Sequence, residues 1–265
     1  MPTYRMTIEY EGTRYHGWQE QKNARSIAGE IRRAVDDTGE RLLELGGSGR
    51  TDAGVHALAQ VAHLRLDHPV LAEPYRLALN DRLPPDIHLL DLRPASERFH
   101  ARHDALARSY LYQISLRRTA FAKRFVWWVK RPLDLSLIEQ AAAAVPGRKD
   151  FALFCERPSE QPSTLVVVEA CRVERHGDLL LVRLVASHFL WKMVRRILGS
   201  LVRVGAGELT LPAWHGLLGG TPVRDEEGPA RWTAPPSGLF LEKVLYKDDP
   251  ELPPLASAIP VPALR

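Results

Sequence analysis

The first ten residues, MPTYRMTIEY, alternate apolar Tyr4, Met6, Ile8 and Tyr10 with polar Thr3, Arg5, Thr7 and Glu9. A period of two sends successive side chains to opposite faces, so this stretch predicts a strand with one buried face. In SIAGEIRRAVDDTGE the period changes. Ile27, Ile31, Ala34 and Val35 share one helical face, Ser26 supplies an N-cap oxygen and Gly39 a stop. Strand patterning returns in VHALAQVAHLRL from Val55. The same grammar then recurs: a strand SYLYQISL, a helix LSLIEQAAAAVPG capped by Asp134 with Gly147 past its end, and strands over 164–174 and 178–186 joined at His176 and Gly177. An amphipathic helix over about 189–204 and a strand over 239–246 follow. Two βα-rich halves of similar layout result, with a boundary near residue 105, so the expected division is 1–105 and 106–246. The Pro-rich stretch 247–265 has no periodicity and is expected to be an extended tail.

With 265 residues and 45% hydrophobic content the chain can bury a real core, which excludes disorder as the whole answer. Cys155 and Cys171 form no CxxC pair, so neither a disulfide framework nor a zinc site is indicated, and buried free thiols in a reducing compartment are expected. No run approaches the ~18 apolar residues of a membrane span, and the N-terminus reads as a strand and not a signal peptide; the expected location is cytoplasmic. The net charge of +4 is unevenly spread. Between Arg93 and Arg131 ten basic residues meet only Glu97 and Asp104, and Lys192, Arg195, Arg196 and Arg203 form a second run without acids. Interleaved Phe99, Tyr110, Tyr112, Phe121, Phe125, Trp127 and Trp128 make this a footprint for nucleic acid, where phosphates supply affinity and rings supply stacking. A solvated face over core aromatics is the alternative.

Three motifs fail on spacing. DTG at Asp37–Gly39 ends a helix and has no second copy to complete an aspartic dyad. GGSGRTDAG lacks the Gly-Lys-Ser/Thr of a phosphate loop and has Asp52 where a dinucleotide loop needs glycine. His100 and His103 have no third ligand near them in sequence, which favours solvated or phosphate-facing histidines over a metal. GRTDAGVH, residues 49–56, is different: its glycines permit a tight turn and close approach to Asp52.

Five stretches carry a resemblance in order and spacing: IEYEGTRYHGWQEQ from Ile8, SGRTDAGVHALAQVAH from Ser48, FHARHDALARSYLYQI from Phe99, HFLWKMVRRILGSLVRVG from His188 and TAPPSGLFLEKVLY from Thr233. Together they resemble the TruA family of tRNA pseudouridine synthases over nearly the whole chain. The resemblance implies an α+β fold of two ferredoxin-like halves sharing a central antiparallel sheet, with helices on one face and a basic cleft on the other. It also implies a homodimer holding one tRNA, and isomerisation of uridines 38, 39 and 40 in the anticodon stem-loop. That reaction breaks C1′–N1, rotates the base, forms C1′–C5 and releases the C5 proton; nothing is oxidised or imported, so no cofactor or metal is expected. By the family's pattern Asp52 is the nucleophile, or a base in an elimination route, and Arg195 is the cation that offsets the cost of burying it. Arg196 points about 100° away on a helix and is the lesser partner. Arg50 stands beside the flipped base, and Tyr110 stacks on the uracil and assists loss of the C5 proton, with Tyr112 on the same strand face as the substitute. Gln161-Pro162-Ser163, Ala152-Leu153 and His188 depart from the family's usual residues, the first and third where tRNA contacts are expected. A tRNA-binding or RNA-chaperone protein without chemistry is the alternative from another class; the retained Asp52, Tyr110 and Arg195 argue against it.

Overall fold

The computed structural model describes residues 1–160, 162–223 and 228–261. Gln161 and the last four residues of the tail, 262–265, lie outside them, and with Gln161 goes part of the expected departure at 161–163. In chain order the elements are β1 (Thr3–Tyr10), α1 (Ile27–Asp36), β2 (Leu42–Gly47), β3 (His56–Leu66), α2 (Ala72–Asn80), β4 (Ile87–Ala95), β5 (Ala107–Ser115) and β6 (Trp127–Trp128). They continue with α3 (Leu135–Ala143), β7 (Gly147–Asp150), β8 (Leu165–His176), β9 (Leu179–Ala186), α4 (Met193–Gly205), α5 (Leu211–Leu218) and β10 (Leu239–Leu245). Among the described residues no helix is long and apolar enough to cross a membrane.

The fold is α+β with mainly antiparallel strand pairing, in two compact units. The first unit is Met1–Leu106 with Phe240–Pro250. Its order β1-α1-β2-β3-α2-β4, with β1 between β3 and β4 and β2 on the far side of β3, is the ferredoxin-like arrangement. Met6 and Ile8 of β1 and Leu89 of β4 turn one sheet face onto Ile31 and Ala34 of α1 and Leu79 of α2. Ser26 caps α1 by accepting from the Gly29 N–H at 3.2 Å. One edge of β3 is shared: β2 pairs with Ala62–Leu66, while β10 lies parallel to its start, with Phe240 opposite His56.

The second unit is Ala107–Leu239 with Glu251–Arg265. Here β5-α3-β8-β9-α4, with β9 between β5 and β8, repeats β1-α1-β2-β3-α2 of the first unit. Asp134 caps α3 through the Leu137 N–H at 3.1 Å, as its position predicts. Trp214 of α5 is fully buried, donates to the Ala141 carbonyl at 2.8 Å and packs edge-on against Phe154. Leu111, Ile114, Leu181, Ile197 and Leu201 are buried in this unit as well.

Two sequence expectations need correction. The amphipathic helix begins at Met193 and not near 189, because Lys192 sits at φ +62°, a left-handed conformation that a helix cannot pass through. The halves are not continuous stretches, because strand partners are set by register and not by chain order: Phe240–Tyr246 belongs with the first unit through β3. The Pro-rich segment has no helix or strand over its described residues 251–261, as its lack of periodicity predicts, and it is packed down along its length. The buried Arg183 donates to the Pro253 carbonyl at 2.8 Å, the buried Gln113 accepts from the Ala258 N–H at 2.7 Å, and Leu255 is buried.

Candidate active site

In the first unit the connection from β2 to β3 carries GRTDAG, and its backbone is held on every side. The Trp18 N–H donates to the Thr51 carbonyl and the Gly54 N–H to the Tyr15 carbonyl, each at 3.1 Å; the Val55 N–H closes the turn on the Asp52 carbonyl, also at 3.1 Å. Gly54 has φ +77°. Gly17 lies so close that a Cβ there would stand 2.3 Å from the Thr51 carbonyl oxygen, at a φ of +92°. Only glycine fits this approach.

Buried polar side chains hold the same turn from beneath. Gln60, wholly buried on β3, donates through Nε2 to the Gly49 carbonyl at 2.9 Å and accepts from Ser48 Oγ at 2.8 Å. Tyr10 and Thr51 share a hydroxyl hydrogen bond of 2.8 Å, and burial pushes the Tyr10 phenol well up, so it stays protonated. His56 Nδ1 accepts from the Gly12 N–H at 3.0 Å while its ring stacks on Phe240 at 4.8 Å. Ser48, Thr51, Gln60 and His56 are thus buried with their hydrogen bonds made, whereas Asp52 is half-buried and Arg50 exposed. A Cβ at Gly49 would meet nothing within 4 Å, so the protein itself leaves that side of the turn open.

Tyr110 and Arg195 stand in the second unit. Tyr110, on β5 opposite Leu184, is 8% exposed and meets Phe189 edge-on at 5.0 Å. Tyr112 shares its face of the strand but is wholly buried and donates to the Pro235 carbonyl at 2.8 Å; burial raises its phenol, with Arg195 opposing. Arg195, half-exposed on the first turn of α4, donates from Nε to the Ala234 carbonyl at 2.7 Å, and the Ala234 N–H returns a bond of 2.9 Å to the Arg195 carbonyl. This exchange draws the 232–234 segment against α4 so tightly that a Cβ at Gly199 would overlap the Trp232 carbonyl. Arg196, one residue on, is buried and committed to the Cys155 carbonyl and the Glu156 carboxylate.

The histidine pair has company that sequence separation hid. The sheet brings Glu44 of β2 and His63 of β3 to His100, with ligand-type atoms of all three within 4.8 Å. The hydrogen bonds decide how this cluster is used. His63 Nδ1 accepts from the Ala101 N–H, and His100 Nδ1 accepts from the Arg102 N–H, each at 3.2 Å. Each neutral ring therefore keeps its proton on Nε2, and His63 points that proton at Glu44 over 3.1 Å. Arg65 Nη1 adds a bond of 2.5 Å to the other carboxylate oxygen. Two neutral rings whose Nδ1 lone pairs already accept backbone N–H groups, beside a carboxylate paired with Arg65, make a structural hydrogen-bond cluster and not a free lone-pair set for a metal. Of the thiols, Cys155 is buried and Cys171 half-buried; both are free, and burial pushes Cys171 up to about 12.

Comparison with known proteins gives a consistent result. A profile of the family described as tRNA pseudouridine synthase matches residues 6–104 and 141–247, which include Arg50, Asp52 and Arg195; Tyr110 falls between the matched segments. A tRNA pseudouridine synthase A of Agrobacterium fabrum is 38% identical over 257 residues, 94% of each chain. One from Rhizobium meliloti is 38% identical over 93% of this chain and 100% of its own, and one from a Thermoanaerobacter species is 34% identical over 91% of this chain and 98% of its own. On this match, which covers most of its length, the chain belongs to the tRNA pseudouridine synthase family, whose members are isomerases.

Proposed function

We propose that the protein isomerises uridines 38, 39 and 40 of the tRNA anticodon stem-loop, with Asp52 as nucleophile. The observation that carries this reading is the construction of the GRTDAG turn. Its polar neighbours are buried and bonded, while Asp52 stays partly open beside a glycine with free space around it. Fixing the backbone that carries one carboxylate this rigidly supports the orientation that attack on a ribose or base carbon requires.

Within the same reading, Arg195 is the cation that supports the ionised carboxylate, and its donation to the Ala234 carbonyl holds it at the first turn of α4. Arg50, exposed two residues before Asp52, fills the place of a base leaving the stem, a step that costs a few kcal/mol. Tyr110 is the stacking ring, and its hydroxyl assists loss of the C5 proton. Every bond made or broken lies within the nucleotide, so the chemistry balances without a co-reactant. A homodimer holding one tRNA, in the cytoplasm, completes the reading.

The test is release of tritium from C5-labelled uridine in tRNA transcripts. Wild type releases label from transcripts with uridine at 38, 39 or 40. Asp52→Asn keeps shape, fold and tRNA affinity and drops release to below about a tenth of wild type. Release by the variant above that level removes Asp52 from the role. Absence of release by folded wild type from every transcript leaves a binding protein.

A further inference from the structure

The sheet face of the first unit turned away from α1 and α2 carries a row of basic side chains. Arg5 on β1 pairs with His63 on β3 and with Arg93 on β4, so the three side chains project on one side. Beyond Arg93 the chain turns back and forms a cavity of about 350 Å³, lined by Arg5, Arg93, Ser96, Arg98, Phe99 and Asp104 among others.

The lining is rich in guanidinium groups. Arg5 has its Cζ 4.2 Å from the Tyr246 ring centre and is tied by Nη2 to Asp249 at 3.2 Å, while its Nε is buried without an acceptor. Arg93 lies 3.7 Å from Asp91 and keeps half its side chain in solvent. Arg98 has no acidic partner among the described residues, and the neighbouring Glu97 is taken by the N-terminal ammonium. The single lining carboxylate, Asp104, accepts from the His100 N–H at 2.9 Å. Arg5 and Arg93 each have an aspartate beside them, Asp249 and Asp91, so the donors left to a ligand are those of Arg98 and of the solvent-exposed part of Arg93, and with Phe99 beside them they offer a phosphodiester and a neighbouring base guanidinium donors and a stacking surface.

We propose that this cavity is a phosphate site that holds the RNA backbone at a distance from the catalytic turn. The register gives that distance. Arg5 lies opposite His63, seven residues along β3 from His56, where the GRTDAG turn ends, so cavity and turn are about 23 Å apart along the strand. No single nucleotide spans that gap. The cavity therefore selects a structured RNA several base pairs long, and it contributes to affinity and register, not to the chemical step. The assignment rests on the tRNA reading for the identity of the RNA alone.

The experiment compares wild type, Arg98→Gln, the double variant Arg93→Gln with Arg98→Gln, and Arg98→Lys, each with its melting temperature as a control of folding. The tRNA dissociation constant is measured as a function of salt. Expected is a fall of about one unit in the log–log slope for Arg98→Gln and up to about two for the double variant, with Arg98→Lys restoring the wild-type slope. In tritium release the double variant raises KM about three- to tenfold at unchanged kcat. An unchanged slope and KM in the double variant overturns the proposal. So does tight binding of inorganic phosphate to wild type that the double variant loses while its tRNA slope stays intact, because the cavity would then serve a free anion. If wild type binds tRNA but releases no tritium, the proposed reaction fails and the salt slopes still decide the cavity.

Discussion

Tyr110 keeps a small open edge and has Phe189 as its neighbour, whereas Tyr112, two residues on, has its hydroxyl engaged by Pro235 in a closed environment. A ring contact carries no counterion release, so Tyr110→Phe is expected to bind tRNA with the wild-type salt slope. If the hydroxyl helps remove the C5 proton, turnover falls by about a hundredfold; near-wild-type turnover confines Tyr110 to stacking. The same separation is seen at Arg195 and Arg196, where helical periodicity already placed the two on different faces and the structure shows Arg196 consumed by Cys155 and Glu156. The different directions of Arg195 and Arg196 were legible because consecutive helical positions point about 100° apart, whereas Tyr110 and Tyr112 share a strand face and no local rule separates them. Gln60 and Glu44 were not legible as partners of the GRTDAG turn and of His100, because strand pairing brings them there from a distance in sequence.

At the scale of elements, the strongly patterned segments were readable: β1, α1, β3, α3 and the β8–β9 hairpin follow from period and caps. The helices α2 and α5 and the strands β2, β4, β6 and β7 were not. α2 starts at Leu71 without a side-chain cap and carries Pro74, β2 ends in two glycines, β4 contains Pro94, and β6 has two residues. Their stability comes from the neighbours they cover, which a local pattern does not record. The contact between the 12–18 segment and the catalytic turn is of this kind. Gly17→Ala drives a methyl group into the Thr51 carbonyl at a φ that already costs about 1–2 kcal/mol for an L-residue. The expected outcome is a lowered melting temperature together with a loss of kcat of about tenfold to a hundredfold, from a turn displaced by a fraction of an ångström. A variant that melts lower yet keeps wild-type kcat shows that Asp52 tolerates movement of its turn.

For the whole molecule, the Glu44–His63–His100 cluster ties stability to pH. Burial holds the His100 imidazole below its usual value of 6.5, with the His63 and His103 rings adding to the effect. Below pH 6.5 the unfolded chain therefore takes up this proton more readily than the folded one, and stability falls as pH drops. The hydrogen bond from His63, reinforced by Arg65, holds Glu44 below its ordinary 4.5, which has the same sign and acts at lower pH. Thermal melting between pH 7.5 and 4 is expected to show both phases, and His100→Gln to flatten the part between about pH 6.5 and 5 while leaving the lower phase. A variant with the wild-type profile throughout would place the upper phase on another group.

The late arrival of β10 carries a consequence for synthesis. Residues 1–106 leave the ribosome about 130 residues before Phe240, on the order of ten seconds earlier at ordinary elongation rates. During that interval the edge of β3 beside the catalytic turn has no strand against it, the His56 ring lacks Phe240 and the Ala101 carbonyl lacks the Tyr246 hydroxyl. An unpaired strand edge is a hazard, and a nascent chain is exposed to it throughout. If Asp52 acts as proposed, the same order of events is also a safeguard: a truncated translation product ending before residue 240 lacks β10 and Phe240 against the strand that follows the GRTDAG turn, and it is expected to release no tritium from tRNA.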